Sequence, residues 1–211
     1  MAQTGCSDDE PTMSKIIPED AFPDVNFREY ILDQFDIDAD GVISQDEAAR
    51  VTKINVWGSL YSRGDIESLE GIQYFPNLDT LYCYGNKLTA LDVSKNTELT
   101  YLNCDYNQLT ALDLSKNTEL IYLSCSGNQL TALDLSKNTE LIYLWCYNNQ
   151  LTALDVSKTN LGNSNYPWPL NCSKMSTLKT LTLKTGWSIN GITKDRYNHY
   201  IPGNTEIIFA D

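Results

Sequence analysis

The sequence predicts an elongated solenoid: a right-handed, β-rich coil with parallel strands on its concave face and a small cap at each end. Three features of the 211-residue chain predict this fold. A unit of 21 residues repeats along the middle of the chain, aromatic residues recur at alternate places within it, and an acidic loop of 12 residues precedes it. We expect a tail over 1–15, a helical cap over 16–50, the solenoid over 51–185 and a C-terminal cap over 186–211.

The repeat is a pattern of four near-identical copies, L-x-x-L-x-C-x-x-N-x-L. The copies open at Leu78, Leu99, Leu120 and Leu141. Weaker half-coils over 51–57 and 178–184 extend the pattern at both ends. It resembles the leucine-rich-repeat family, with cysteine where leucine is more usual. Repetition at such a period is typical of a solenoid in which each coil buries its apolar face only against its neighbours.

Alternation along each short strand predicts which side chains face inward, because successive residues of a strand point to opposite sides. The leucines and cysteines therefore form the core. An asparagine stands where each coil leaves its strand, at Asn86, Asn107, Asn128 and Asn149. We expect these four amides to bond turn backbone groups as a structural ladder.

Cysteine recurs at one core place in each copy, as Cys83, Cys104, Cys125 and Cys146. An even number of cysteines in an exported protein suggests disulfides, but in-register parallel side chains do not readily give the required torsion. A ladder of thiols does not supply the tetrahedron of a metal site either. We expect buried free thiols acting as small hydrophobes, and find no evident partner for Cys6 or Cys172.

A loop with the spacing of calcium ligands runs over residues 36–47. Its predicted ligands match the EF-hand pattern at every place: Asp36, Asp38, Asp40, the carbonyl of Val42, Ser44 and Glu47. Gly41 permits the sharp turn that this loop needs. The resemblance implies bound Ca²⁺, and the alternative is an acidic turn that binds nothing.

The loop stands alone in the sequence, whereas EF-hands that sense calcium usually come in pairs. Helical spacing over 27–35 precedes it, and a short exit helix over 44–50 leads into the first half-coil. We therefore expect a calcium-locked cap, similar to those of bacterial surface leucine-rich-repeat proteins. A dockerin-like anchoring module is the alternative, but such a module requires two calcium loops.

Aromatic residues occupy the outward places of the presumed concave strands. The predicted partner-binding residues are Trp57, Tyr82, Tyr84, Tyr101, Tyr122, Tyr143, Trp145 and Tyr147, with Tyr106 beside them. Tyrosine and tryptophan offer large, rigid contact area to protein partners and to sugar rings. The alternative is that these rings only support strand formation and cross-strand stacking.

The acidic and basic residues of the second half of each copy predict a solvated, charge-paired return face rather than a site. The pairs set Asp92, Asp113, Asp134 and Asp155 against Lys95, Lys116, Lys137 and Lys158. At the C-terminus, apolar cover for the end of the stack is expected from Trp187, Ile189, Ile192, Tyr197, Ile207, Ile208 and Phe209.

The N-terminus is polar before Cys6 and lacks the apolar core of a signal peptide. Gly5 and Cys6, followed by Ser7 and acids, resemble the lipidation site and export tag of Bacteroidetes-type surface lipoproteins, although Gln3 departs from that pattern. The resemblance implies a lipid on Cys6. The alternative is a solvated acidic tail with an incidental cysteine.

Composition and motifs together favour a non-catalytic binding or adhesion protein, extracellular or on the outer-membrane surface. The formal charge of −13 repels nucleic acid and anionic lipid, and no stretch is apolar enough to span a membrane. With one histidine, His199, and no nucleophile motif, catalysis has little support, though a carboxylate-pair hydrolase stays open. We expect a monomer with a protein or glycan partner at the cell surface. The alternatives are glycan capture and a calcium-dependent structural or assembly role.

Overall fold

The computed structural model describes residues 15–57, 65–161, 169–186 and 201–210. The helices and strands follow in the order β1 (Ile16–Ile17), α1 (Val25–Phe35), β2 (Ile43–Ser44), α2 (Gln45–Ala48), β3 (Lys53–Asn55), β4 (Thr80–Tyr82), β5 (Tyr101–Asn103), β6 (Tyr122–Ser124), β7 (Tyr143–Trp145), β8 (Ala153–Asp155), β9 (Leu170–Asn171), β10 (Thr180–Lys184) and β11 (Glu206–Ala210). Short 3₁₀ turns occupy Glu19–Ala21 and Ile72–Tyr74. None of the helices in these ranges has the length and apolar character needed to cross a membrane.

The main sheet has six parallel strands in the order β3-β4-β5-β6-β7-β9. Leu102 lies opposite Leu81 in β4 and Leu123 in β6, so equivalent places of successive coils are directly in register. The inward leucines and cysteines of these coils are almost all completely buried. The predicted solenoid of stacked coils is therefore confirmed.

A second parallel sheet lies on the return side of the coils, in the order β8-β10-β11. Leu181 of β10 pairs with Leu154 of the last full return segment, so the half-coil predicted over 178–184 belongs to this side. The last strand of the main sheet is β9 instead. Sequence alternation could not distinguish these two sides, because both segments bury every second residue.

The C-terminal strand β11 extends the second sheet in register with β10. Ile207 packs against the core, but Ile208 and Phe209 are exposed and do not cover the end as expected. The expected cover from Trp187, Ile189, Ile192 and Tyr197 lies outside the described residues.

Asp24 caps the N-terminus of helix α1 in the N-terminal cap, and its Oδ1 accepts from the amides of Asn26 and Phe27 at 3.0 Å each. Its Oδ2 accepts from the amides of Glu67 and Ser68, at 2.7 and 3.1 Å. One carboxylate therefore starts helix α1 and also fastens the cap to the first coil.

The predicted asparagine ladder is present, with all four side chains buried. Asn107 Nδ2 donates to the carbonyls of Cys83 and Cys104, at 2.9 and 3.1 Å. Its Oδ1 accepts from the amide of Leu88 at 3.1 Å. Each amide thus satisfies backbone groups of two successive coils, which the repeat otherwise leaves without partners.

A second asparagine ladder runs along the return side and was not predicted. Asn96, Asn117 and Asn138 are fully buried. The Nδ2 of Asn117 donates to the carbonyls of Val93 and Asn96, at 3.0 and 2.9 Å. Each of these residues follows a surface lysine, and a polar residue beside a lysine is expected at the surface, so the sequence pattern did not predict their burial.

The cysteine ladder has five members rather than four. Cys83, Cys104, Cys125, Cys146 and Cys172 are all free thiols with no exposed surface. Cys172 joins because the amides of Cys146 and Asn148 donate to Asn171 and Ser173, on either side of it. It stands 26 residues after Cys146 instead of 21, so the regular period did not predict its place.

Candidate functional site

Five aromatic rings form a continuous column on the outward side of the main sheet. The tyrosines at equivalent places of β5, β6 and β7 stack face to face. Centroids of Tyr101 and Tyr122 are 4.0 Å apart with planes 3° from parallel, and those of Tyr122 and Tyr143 are 4.3 Å apart at 12°. Tyr82 and Trp145 extend the column at its two ends, at 4.8 and 5.1 Å from their neighbours. We call these five residues the ring column.

A second aromatic group lies beside the ring column, where the chain leaves the strands. It consists of Trp57, Tyr84, Tyr106 and Tyr147, joined by edge-to-face contacts of 5.2 to 6.2 Å. The hydroxyls of Tyr106 and Tyr147 share a hydrogen bond. Tyr106 reaches Tyr147 across the intervening coil, where Gly127 leaves room for its ring. We call these four residues the rim group, and the two sets together the aromatic face.

The aromatic face is less exposed than the sequence led us to expect. The rings of the column are half-buried, because each covers the face of the next, while Trp57 and Tyr106 are 60% and 44% exposed. Loss of solvation raises the pKa of Tyr101, Tyr122 and Tyr147. The indole Nε1 of Trp145 is buried and has no hydrogen-bond partner in the described part of the chain.

One carboxylate, that of Asp105, is buried between the ring column and the rim group, with 6% of its surface exposed. The hydroxyl of Ser124 donates to it, 2.7 Å from each oxygen, and the amide of Ser126 also donates. Burial raises the pKa of Asp105, and the bonds from Ser124 and Ser126 lower it less than burial raises it. Asp105 does not repeat from coil to coil, so the repeat pattern did not predict this buried charge.

The acidic loop brings three of its predicted ligands together. Carboxylate oxygens of Asp36, Asp38 and Asp40 lie within 4.8 Å of one another. Gly41 adopts a left-handed φ of +86°, as the sharp turn requires. Asp36 Oδ2 accepts from the Gly41 amide at 2.9 Å, which folds the loop back over its first residue.

Glu47 and Ser44 lie at the start of helix α2 and bond to each other. Glu47 Oε2 accepts from the amide and the hydroxyl of Ser44, at 2.8 Å each. Its Oε1 accepts from the Ile37 amide at 2.7 Å. The Glu47 carboxylate is not part of the aspartate cluster. The amide of Val42 donates to Asp40 Oδ1 at 3.0 Å.

The charges of this loop affect one another. Loss of solvation and the nearby carboxylates of Asp40, Glu47 and Asp36 raise the pKa of Asp38, against a hydrogen bond that lowers it. Burial alone would raise the pKa of Glu47, but the bonds from Ser44 and Ile37 hold it below its ordinary value. Crowded oxygen ligands of this kind suit a hard divalent cation, whose charge removes their mutual repulsion.

A short antiparallel strand pair holds the acidic loop against the start of the N-terminal cap. Ile43, in the middle of the loop, pairs antiparallel with Ile17 of strand β1, and both side chains are buried. Strand β1 therefore gives the loop a partner strand from within the cap.

The return face differs from its prediction. The aspartates bond first to serines two residues on: Asp92 and Asp113 each accept from a serine amide at 2.9 Å. These serine bonds are the main reason the pKa of both aspartates is lowered, and Lys95 and Lys116 contribute less. The aspartates are turn-forming residues more than partners of the lysines.

Two other predicted features, the lipidation site at Cys6 and the histidine His199, lie outside the described residues. Asp105 and Ser124 are the site residues that the sequence analysis missed. The sequence signal for them is weak: each occupies an outward place at which one neighbouring coil carries an aromatic residue, Tyr84 for Asp105 and Trp145 for Ser124.

Comparisons with known proteins agree with this geometry. A family model described as leucine rich repeats matches in two copies, over residues 76–117 and 118–163. Internalin J of Listeria monocytogenes is 42% identical over 78 residues, which are 37% of this chain and 8% of that protein.

Two solved structures share the fold over most of the chain. The functional domain of InlJ from Listeria monocytogenes, described as including a cysteine ladder, is 33% identical with a TM-score of 0.63. The match covers 92% of this chain and 46% of that one. The internalin InlF of the same species is 26% identical with a TM-score of 0.62, covering 83% and 53%. This chain thus spans about half the length of those structures, has the leucine-rich-repeat fold and is similar to the Listeria internalins.

Proposed function

We propose that this protein is a non-catalytic binding module that holds a protein partner on its aromatic face. The observation that carries the proposal is the ring column, continuous from Tyr82 to Trp145 across four strands. Proteins built from leucine-rich repeats commonly bind other proteins, and tryptophan and tyrosine are enriched among the few residues that carry most of the binding energy at protein interfaces.

The packing of the column supports binding rather than strand formation alone. Each ring is held by its neighbours, so a partner need not immobilise it, and the entropic cost of association is reduced. Trp57 and Tyr106 remain well exposed beside it and add contact area.

The stacking also favours a protein partner over a glycan. Sugar rings pack on open aromatic faces, but the faces of Tyr101 and Tyr122 are covered by each other and by Tyr143. The middle of the ring column therefore presents ring edges and hydroxyl groups, which suit contacts with a peptide.

The described thiols support a non-catalytic role. Burial raises the pKa of Cys83, Cys104, Cys125, Cys146 and Cys172, so the nucleophilic thiolate is disfavoured at each.

We also propose that Ca²⁺ binds the acidic loop and stabilises the N-terminal cap. Asp36, Asp38 and Asp40 are already clustered. The carbonyl of Val42, Ser44 and Glu47 would complete the ligand set at the remaining loop positions. A structural role fits the cap better than a sensory one, because Ile43 and Phe27 are buried in the common core.

The setting we propose is extracellular, in solution or on a cell surface, as a monomer. Lipidation of Cys6 would supply a membrane anchor there. The acidic charge of −13 is compatible with an exposed surface that repels anionic lipid headgroups.

The test is a comparison of variants in partner capture. The full chain is immobilised, exposed to bacterial-surface and host-surface extracts, and the retained proteins are identified and purified. We expect Tyr122→Ala or Trp145→Ala to weaken binding of the purified partner about thirtyfold, the usual effect of removing a central interface aromatic. Lys116→Ala on the return face is the matched control. A partner lost with Lys116→Ala and retained by both aromatic variants would assign the working surface to the opposite side, and a glycan array tests the sugar alternative.

A further inference from the structure

The buried carboxylate of Asp105 has no cation to balance it in the described part of the chain. It accepts hydrogen bonds from Ser124 and Ser126, and no lysine or arginine of the described ranges forms an ion pair with it. Removing a carboxylate from water is costly, and hydrogen bonds from neutral donors offset only part of that cost. This part of the aromatic face therefore carries an uncompensated negative charge.

Aromatic rings lie near this charge: the amide of Ser126 donates to Asp105, and the ring of Tyr106 lies over the next residue, Gly127. Burial raises the pKa of the Tyr122 and Tyr147 hydroxyls, and the negative charge of Asp105 raises both pKa values further. The faces of aromatic rings are themselves negative. The faces of Tyr122 are covered by Tyr101 and Tyr143, so a cation reaches an open ring face in the rim group, where Tyr106 follows Asp105 in the chain and is 44% exposed. A buried carboxylate beside this exposed ring attracts a cation by two independent effects.

The protein itself shows such a contact at one end of the column. The ammonium group of Lys53 lies 5.0 Å from the centroid of the Tyr82 ring. Lys53 stands in register with Thr80, at the place that Tyr101 occupies in the next coil. From β4 to β7 the outward places of the strands carry no lysine or arginine, so the column has no further cation of its own there.

We propose that the part of the rim group around Asp105, Tyr106 and Tyr147 binds a lysine or arginine side chain of the partner protein. This inference rests on the proposed function and names the chemistry of its partner: a basic segment. The net charge of −13 attracts such a segment from a distance, and the aromatic face determines where it binds.

The test uses three capped peptides, each with four Gly-X repeats, in which X is arginine, lysine or the neutral arginine isostere citrulline. Binding to the full chain is measured by calorimetry at physiological salt. We expect both basic peptides to bind at least about tenfold more tightly than the citrulline peptide, as a cation–π contact beside a carboxylate implies. The arginine and lysine arms show which cation is preferred.

Two variants locate the effect. Asp105→Asn should weaken binding of the basic peptides about tenfold and leave the citrulline peptide unchanged. Asp113→Asn, which removes the same charge from the return face, is the matched control and should change nothing. Tyr106→Leu, which removes an exposed ring without altering charge, should also weaken binding of the basic peptides, and melting curves confirm that each variant is folded.

Equal binding of all three peptides, or equal losses in Asp105→Asn and Asp113→Asn, would overturn the inference. Those results leave the proposed function standing if Tyr122→Ala still weakens the purified partner. Unchanged partner binding in Tyr122→Ala and Trp145→Ala would instead contradict the proposed function itself.

Discussion

A Cβ atom added to Gly127 would lie 2.8 Å from Cδ1 of Tyr106, because the tyrosine ring lies directly over this glycine. Gly127→Ala should therefore push the ring away and break the bond between Tyr106 and Tyr147. Gly85 is the matched control, since it also has a positive φ, of +71°, but nothing within 4 Å of a Cβ.

Both alanine variants should lose about 1 to 2 kcal/mol from backbone strain alone. Gly127→Ala should lose more, and its near-ultraviolet circular dichroism should change where that of Gly85→Ala does not. Identical melting temperatures and spectra for the two variants would show that Tyr106 does not lie over Gly127 in solution.

The pH dependence of stability should reveal the buried charge of Asp105. Since burial raises its pKa, Asp105 favours the folded state below the ordinary aspartate pKa of about 4 and loses that contribution as the pH rises through its folded value. As the pH rises from 3 to 7, Asp105→Asn should therefore become more stable relative to the unsubstituted protein. Thermal unfolding of both proteins across this range measures the difference.

Asp113→Asn should show the opposite trend. Hydrogen bonds from Ser115 lower the pKa of Asp113. Asp113 therefore stabilises the folded state above the ordinary aspartate pKa, and this stabilisation is lost as the pH falls. If the two variants followed the same trend, the assignment of Asp105 as a destabilising buried charge would be incorrect.

Replacing Asn107 with Asp should be strongly destabilising, although the side chains have the same shape. The Nδ2 group donates to two buried carbonyls, of Cys83 and Cys104, and a carboxylate would face them with negative charge. We expect a loss of about 3 kcal/mol or more in denaturant unfolding. Gln108→Glu, on the exposed neighbour, should change stability by about 0.5 kcal/mol or less.

The regular repeat is what made much of this structure predictable. A fixed period with alternating burial is sufficient to place Leu102, Cys104 and Asn107, because each coil repeats the environment of the one before. The stacking of Tyr101 on Tyr122 follows from the same register.

The features that were missed depend on departures from the repeat. Cys172 follows a longer coil, Asp105 replaces an aromatic residue, and Tyr106 takes a left-handed φ of +51° that folds it over the next coil. Backbone and side-chain contacts between different coils decide these three positions, and a one-dimensional pattern does not contain them. Asn117 was missed for another reason, because a polar residue beside a lysine looks like surface.

The cysteine ladder should be reduced and inaccessible. In a Cys6→Ser variant, a thiol reagent should label no cysteine of the folded protein and all five of the ladder after denaturation, since they are fully buried. Burial also raises their pKa, to about 12 for Cys172, which slows reaction further. Intact mass under non-reducing conditions checks for disulfides, and any bond among the five would contradict the ladder.

Calcium should raise the melting temperature of the protein through the loop over 36–47. Exported modules bind it with dissociation constants on the order of 0.1 to 1 mM, and a concentration a hundred times higher than that constant stabilises by about 2.7 kcal/mol. Asp38→Asn and Glu47→Gln should each remove most of the difference between calcium and chelator, whereas Asp33→Asn, on the exposed side of α1, should not. Because Glu47 also caps α2, only this difference is compared, not the melting temperature itself.

If calcium raised stability without changing partner affinity, its role would be structural, and a change in affinity would make it regulatory. Equal melting curves in calcium and in chelator would show that the loop is an acidic turn without metal.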